Sequence, residues 1–399
     1  MGQASNDSGG DDAERFVADH CQQSFLSLWT YANPRGKKDQ ELCDVMVVCD
    51  SDIIVLSVKH IEFKDTGNPN VDIPRWQRKA VDGSVKQVFG AERVLSLDGT
   101  GLHVVGKPGE RGLTLPPSGT RRVHRIAVAL GGEGKIGLSS GWFDNKKQRK
   151  YVHVLDSPAF IATIRELDTI SDFVAYLLAK ESLQAEVIVE GGEEDLLAMY
   201  LQNGRQFPDN DLICLGEGVW QAFSTGEQYL GKKRQDEISY VWDRLIETFC
   251  QDHRAGLLLG EQDTDGVEQA LRTMAREDRF TRRGLGKSFS GFLEANKLGQ
   301  SRSRIHPYPG LATYVFLGCP VDLPREDRIA ELKARCLIAR WLHPDKPQVV
   351  GIATETPKVG QGFSLDLLSL TIPRLSREQA ALAQQWQEEF GFFKNLRYQ

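Results

Sequence analysis

Seven cysteines (Cys21, Cys43, Cys49, Cys214, Cys250, Cys319 and Cys336) include no C-x-x-C pair, and eight histidines include no His-x-x-x-His spacing. That absence argues against a zinc ribbon, a dedicated zinc site and a disulfide framework, and the cysteines read as reduced core residues. No run of 18 apolar residues occurs, so no membrane span is expected. The first twelve residues, Met-Gly-Gln-Ala-Ser-Asn-Asp-Ser-Gly-Gly-Asp-Asp, are polar and acidic where a signal peptide would be basic and then apolar. Asn6 stands where a myristoylation pattern wants Ser or Thr, so a cytoplasmic protein without a lipid anchor is the expectation. Gly286-Lys287-Ser288 ends like a phosphate-binding loop but has Thr281 in place of the first glycine, which excludes that motif. His343-Pro344-Asp345-Lys346 follows a helix as in co-chaperone J-domains, yet Val349 to Ala353 then reads as a strand, so the tetrapeptide is taken as coincidence. No internal repeat is present.

What remains is ordinary globular material: 399 residues, 40% hydrophobic and 26% charged, enough for two or three domains. The most informative stretch is residues 41–59. Two β-branched runs, Val45–Val48 and Ile53–Leu56, flank the turn formers Asp50-Ser51-Asp52 and predict a buried antiparallel hairpin. A carboxylate and an ammonium beside strands this apolar cost free energy unless paired, solvated or coordinating something, and Asp44 and Lys59 are those residues. With Asp50-Ser51 or Ser51-Asp52 as the two-residue turn, Asp44 lies opposite residue 57 or 59, and Asp44, Ser57 and Lys59 share a face. A register shifted by one would separate them.

An Asp, a short strand, a turn and then x-x-Lys resembles the core of the PD-(D/E)XK phosphodiesterase superfamily, the restriction-endonuclease-like fold; the matching residues are Asp44 and Ser57-Val58-Lys59. The flanks agree with its α-β-β-β-α-β order: a helical stretch at 13–31, the hairpin, a second helix at Ile73–Leu97 and an apolar run at Val123–Leu130. The resemblance covers about the first third of the chain and implies hydrolysis of a phosphodiester with Mg²⁺ (or Mn²⁺). Metal and lysine are needed because attack piles negative charge on a phosphate that already repels hydroxide. It implies Asp44 as metal ligand, Lys59 as the group that orients water or stabilises developing charge, and Gln87 as a glutamine near the site on the second helix. Ser57 replaces the family's second acid; the missing oxygen would come from Glu41, Glu62, Glu14 or backbone carbonyls.

Net charge is −6 but uneven: residues 1–150 carry 21 Lys/Arg against 19 Asp/Glu. Residues 121–150 hold eight basic side chains and only two acids. Arg121, Arg122, Lys146 and Lys147 there, with Arg75, Arg78 and Lys79 on the second helix, are candidates for neutralising phosphates, the alternative being a solvated loop. Arg279, Arg282, Arg283 and Lys287 form a third basic cluster, either a nucleic-acid contact or a solvated helix end.

The fold class expected is α/β (α+β). Its parts are a tail over 1–12, the nuclease-like domain over 13–150, a mostly helical domain over 151–304 and a small α/β domain over 305–399. Within these, 98–120 reads as a Gly/Pro-rich insertion, 131–141 as a loop, 157–181 as two helices broken at Asp168-Thr169, and Ser239 as a helix cap. The last region reads as strand (312–317), helix (325–342), strand (349–354), strand (365–370) and helix (377–390). The leading reading is a metal-dependent nuclease acting on DNA, with RNA as the other substrate, without membrane association, its remainder serving targeting or partner contacts. Prokaryotic defence systems fuse this nuclease fold to sensor domains, so the resemblance extends to a role against invading DNA. The rivals are a catalytically inactive nuclease-like module that binds nucleic acid or a protein partner, and a purely structural protein.

Overall fold

A computed structural model describes residues 7–36, 40–97, 103–104, 113–145, 148–258, 264–297, 302–307, 309–356 and 364–394. The chain is a mixed α/β protein that divides into two compact units, Met1–Lys232 and Lys233–Gln399, so the helical segment expected over 151–304 is shared between them. Among the described residues no helix is long and apolar enough to cross a membrane.

The first unit begins α1 (Asp7–Phe25), β1 (Thr30–Ala32), β2 (Val45–Cys49), β3 (Asp52–His60) and α2 (Pro69–Leu95). A two-stranded pair follows, β4 (His103–Val104) and β5 (Leu113–Thr114), inside the stretch read as an insertion. Then come β6 (Arg122–Leu130), β7 (Gly141–Asn145) and β8 (Gln148–Leu155). The main sheet has the order β1-β2-β3-β6-β8-β7, with β3-β6 and β6-β8 parallel and the other pairs antiparallel. Its central strands do not alternate between apolar and polar because helices cover both faces. Val45, Val47, Ile54, Leu56 and Val58 pack with α1 and with α3 (Ser157–Glu166) and α4 (Ile170–Ser182), while Met46, Val48, Ile53 and Val55 pack under α2.

Two expectations are corrected here. The helix read over 13–31 stops at Phe25, because Leu26 takes a left-handed conformation (φ 71°) and the Thr30 hydroxyl donates back to the Leu26 carbonyl at 3.1 Å. Apolar spacing ran on through a segment that instead pairs as β1 with β2. The region read as mostly helical also holds two strands that the reading did not place, β9 (Glu186–Val189) and β10 (Leu212–Leu215), a short parallel pair joined through α5 (Glu193–Gln202) and followed by α6 (Val219–Ser224). The break between α3 and α4 falls as read, with the Thr169 side chain accepting from the Asp172 N–H at 3.1 Å. Helix α7 (Glu227–Asp236) straddles the boundary between the units.

The second unit holds α8 (Tyr240–Arg254), α9 (Thr264–Ala275), α10 (Arg279–Lys297), β11 (Ser303–His306), β12 (Thr313–Cys319), α11 (Arg325–Leu342), β13 (Gln348–Glu355), β14 (Leu365–Thr371) and α12 (Arg377–Phe390). Its sheet order is β11-β12-β13-β14, with β12 and β13 parallel across the α11 crossover. A Cβ on Gly351 would lie 2.6 Å from the Cys336 sulfur, so glycine there lets α11 approach the sheet closely. Ser239 is not a side-chain cap: it is itself helical, and its hydroxyl donates to the Asp236 carbonyl. Gly286-Lys287-Ser288 lies inside α10, where the Gly286 backbone packs against the Ile238 carbonyl.

Candidate active site

Register decides what the hairpin presents. Cys49 pairs with Asp52, making Asp50-Ser51 the turn, with Asp50 left-handed at φ 55°. Val45 pairs with Leu56, which sets Asp44 beside Ser57, and the Asp44 N–H donates to the Leu56 carbonyl at 3.2 Å.

Asp44 is 1% exposed, and both its oxygens are held. Oδ2 accepts from the Val58 N–H at 2.5 Å, and Oδ1 accepts from the Gln87 amide at 2.7 Å. Gln87 Oε1 in turn accepts from the Ser57 hydroxyl at 2.8 Å. Ser57, fully buried, therefore reaches Asp44 only through Gln87, which α2 supplies from 30 positions further along the chain. This chain of bonds locks the carboxylate's orientation.

Two more acids share the field of Asp44. Glu41, just before β2, is pushed above the ordinary carboxylate range by partial desolvation, then by the charge of Asp44 and a hydrogen bond between the two side chains; Arg35 and Lys59 oppose the shift. Glu14, on α1, is raised by burial and then by Asp44 and Glu41, while Lys59 and a hydrogen bond from Asn33 oppose it. Glu14, Glu41, Asp44 and Lys59 thus form one interacting group at the strand end. Glu62 is exposed beyond the end of β3. The buried Cys43 thiol is pushed well up by desolvation and by these carboxylates, so it stays protonated. Asn33 and Arg35 were missed from the sequence. The one signal for Asn33 was its turn-forming setting before Pro34, and it adopts φ 46°.

The donors are hard oxygens, three carboxyls against Lys59 and Arg35, which suits a small divalent cation. Among the described residues, however, no group of three or more His, Cys, Asp and Glu side chains is arranged to hold a metal.

The basic candidates separate. Arg75 donates to Asp72 at 2.8 Å and to the Lys64 carbonyl at 3.0 Å, while Arg78 and Lys79 are exposed on α2. Arg122 clasps Asp52 with bonds of 2.7 and 3.2 Å, at the opposite end of β3 from Lys59 and roughly 25 Å away along the strand. Arg121 donates to the carbonyls of Pro116 and Leu95. Lys146 and Lys147 lie outside the described residues. In the second unit Arg279 and Arg282 are buried against Asp243, and Arg283 pairs with Asp236, so the three arginines of that cluster belong to an ion-pair network, while Lys287 is exposed.

Sequence reasoning also overlooked a buried chain at the turn end of β3. His124 lies 3.1 Å from Asp52, and Glu181 lies 3.1 Å from His153 and 3.7 Å from His124. Burial lowers His153 to about 4, while the two histidines bring Glu181 down to about 2 against its own desolvation.

No family model matches the chain, and no curated protein proves similar to it.

Proposed function

We propose that the first unit is a metal-dependent nuclease of the PD-(D/E)XK type, acting on DNA at the site built by Asp44, Glu41 and Lys59. The observation that carries this reading is the hydrogen-bonded Glu41–Asp44 carboxylate pair sharing one strand end with Lys59. The element order α1-β1-β2-β3-α2-β6, with the short β4-β5 pair inserted before β6, supports it, since the core order is that of the superfamily.

Asp44 and Glu41, with Glu14 beside them, would hold Mg²⁺ or Mn²⁺. When bound, such an ion polarises the phosphate and acidifies a water. The residues of the chain do the rest. Val58 and Gln87 hold Asp44 in one orientation, so no side-chain entropy is lost when a ligand arrives. Ser57 supplies no charge; it fixes Gln87, and Glu41 replaces the acid the motif lacks at position 57. Lys59 supplies positive charge where the phosphate gains negative charge. Arg78 and Lys79, exposed on α2, are the backbone contacts that this geometry favours, with Arg75 beside them already engaged by Asp72.

Incubation of the purified chain with supercoiled and single-stranded DNA in Mg²⁺ or Mn²⁺ tests this directly. Cutting that stops in EDTA and falls in both Asp44→Ala and Lys59→Ala is the expected result. No cutting by the wild type, or cutting indifferent to either substitution, overturns it. The second reading, an inactive module that binds nucleic acid, is favoured by the hydrogen bonds that already occupy both Asp44 oxygens. It expects salt-sensitive binding without cleavage, and Ser57→Asp as the change that restores cutting.

A further inference from the structure

A cleft of about 450 Å³ opens on the other side of the same strand end. It lies where the parallel strands β3 and β6 finish, at His60 and Leu130, between α1 and the start of α3. Open parallel sheets present ligand crevices at such carboxyl ends, and this volume lies in the range of small-molecule sites. Neighbouring strand residues point to opposite faces, so Lys59 and His60 lie back to back, one toward the carboxylate site and one into the cleft. The position of Gly9 confirms the second direction: a Cβ there would stand 3.4 Å from His60 Nδ1.

The lining defines the ligand. Phe16, His60, Ala13 and Leu130 offer ring and apolar surface, and Asp12, Glu133 and Ser157 are the polar groups among them. Glu133 and Asp12, the latter in an exposed ion pair with Arg15 at 3.5 Å, leave the lining acidic with no Lys or Arg of its own, which disfavours a phosphate. Glu133 is set in place by accepting the Gly131 N–H at 2.8 Å, and a Cβ on Gly131 would strike the Ile61 carbonyl at 2.5 Å, which keeps the two strand exits together as the floor. Flat, uncharged and able to donate to carboxylates describes a nucleobase with an exocyclic amino group. Adenine, cytosine and guanine present one on the pairing edge, whereas thymine and uracil place two carbonyls there around a single N–H, and a carboxylate repels those carbonyls.

We propose that this cleft receives one unpaired, amino-bearing nucleobase of the strand whose backbone is engaged at Asp44 and Lys59. The proposal rests on the nuclease reading for its ligand. It adds that the substrate is single-stranded, or gives up a base to the cleft, and that the base at this position is selected. Base pairing would mask the amino group, so a duplex must yield it.

The test is binding, kept apart from cleavage. Full-length protein in EDTA is titrated with short fluorescent oligo-dA, oligo-dC and oligo-dT, and anisotropy is read. Oligo-dA and oligo-dC are expected to bind about tenfold tighter than oligo-dT, the worth of one good hydrogen bond to a charged group. Gly9→Leu, which fills the mouth beside His60, should abolish that preference. Asp12→Asn, at an exposed residue whose i,i+3 ion pair with Arg15 is open to solvent, should cut it to about threefold or less by replacing a pure acceptor with an amide that also donates. Equal affinity for the three oligonucleotides in the wild type overturns the proposal, as does a preference that survives both substitutions. DNA cutting without base preference removes the cleft assignment and leaves the nuclease; base preference without cutting does the reverse.

Discussion

The two larger sheets of this protein, of six and four strands, are built from the same material and treat charge in different ways at their strand ends. Both bury their central strands completely, Val45–Cys49 in one and Thr313–Cys319 in the other. Beside β13 and β14 buried charge is answered locally: Arg328, 2% exposed, lies 2.5 Å from Asp366 and 3.2 Å from Glu355, and Arg325 adds a bond of 2.6 Å to Asp366. In the first unit Glu14, Glu41 and Asp44 gather around Lys59 and repel one another. The turn end of β3 serves as an internal control, since there Asp52 is paired by Arg122 and His124 and held below its usual range against its own burial. A core tolerates buried ions when they are matched, whereas like charges kept together lower stability and mark a candidate ligand site. The same elements therefore supply a scaffold in one place and a candidate site in the other.

The sharpest way to break this contrast is Arg328→Ala, which removes the buried cation shared by Asp366 and Glu355 and leaves Asp366 with the more exposed Arg325. A loss of about 3–5 kcal/mol is expected, read by denaturant unfolding. Asp44→Asn in the first unit should cost far less, and equal losses would erase the distinction.

Next in size is activity. Lys59→Ala is expected to reduce cleavage roughly 10²–10³-fold, as for loss of one transition-state stabilising group, while circular dichroism stays native. Arg328→Met should leave the rate per folded molecule unchanged.

A third effect concerns Glu277, which follows α9. Its carboxyl accepts from Tyr314 and from the Leu311 N–H, both at 2.8 Å, yet desolvation raises it to about 7. An acid whose folded value is raised stabilises the protein below its unfolded value of 4.5, and that contribution is lost as pH rises toward about 7. Unfolding free energy should thus fall over this interval by about 2–3 kcal/mol, and Glu277→Gln should flatten the profile. A profile that Glu277→Gln leaves unchanged would show that this burial is not felt.

The smallest expected effect is Glu41→Gln. Removing one of three crowded acids should stabilise the metal-free protein by less than about 1 kcal/mol, since the side chain is largely exposed and screened. It should also shrink the rise in melting temperature on adding Mg²⁺. Destabilisation instead would mean that Glu41 acts mainly as a partner of Arg35.

Local chemistry was legible wherever it was self-contained. Helices α11 and α12 and strands β12 to β14 fall within two residues of where spacing puts them, α12 with a capping box between Ser376 and Gln379. The hairpin at 44–59 was equally plain, because β-branched runs around Asp50-Ser51 admit little else. Short strands were not: β1, β7, β9, β10 and β11 span three to five residues each, too few for a period to emerge against their neighbours. Of the site, Asp44 and Lys59 stood out as charges beside apolar strands. Asn33 and Arg35, in an irregular segment, offered no such contrast.

By itself, then, the sequence determined the buried hairpin, the order of the main helices and strands, and a short set of charged residues near the strand ends. Only the tertiary structure decided their partners. Asp44 met Gln87 across 43 positions, Arg122 was consumed by Asp52 across 70, and Arg282 was buried on Asp243 instead of facing solvent. The physical reason is range: turn propensity, periodicity and caps act over a few residues, whereas neutralisation of a charge depends on register and packing that bring distant segments together.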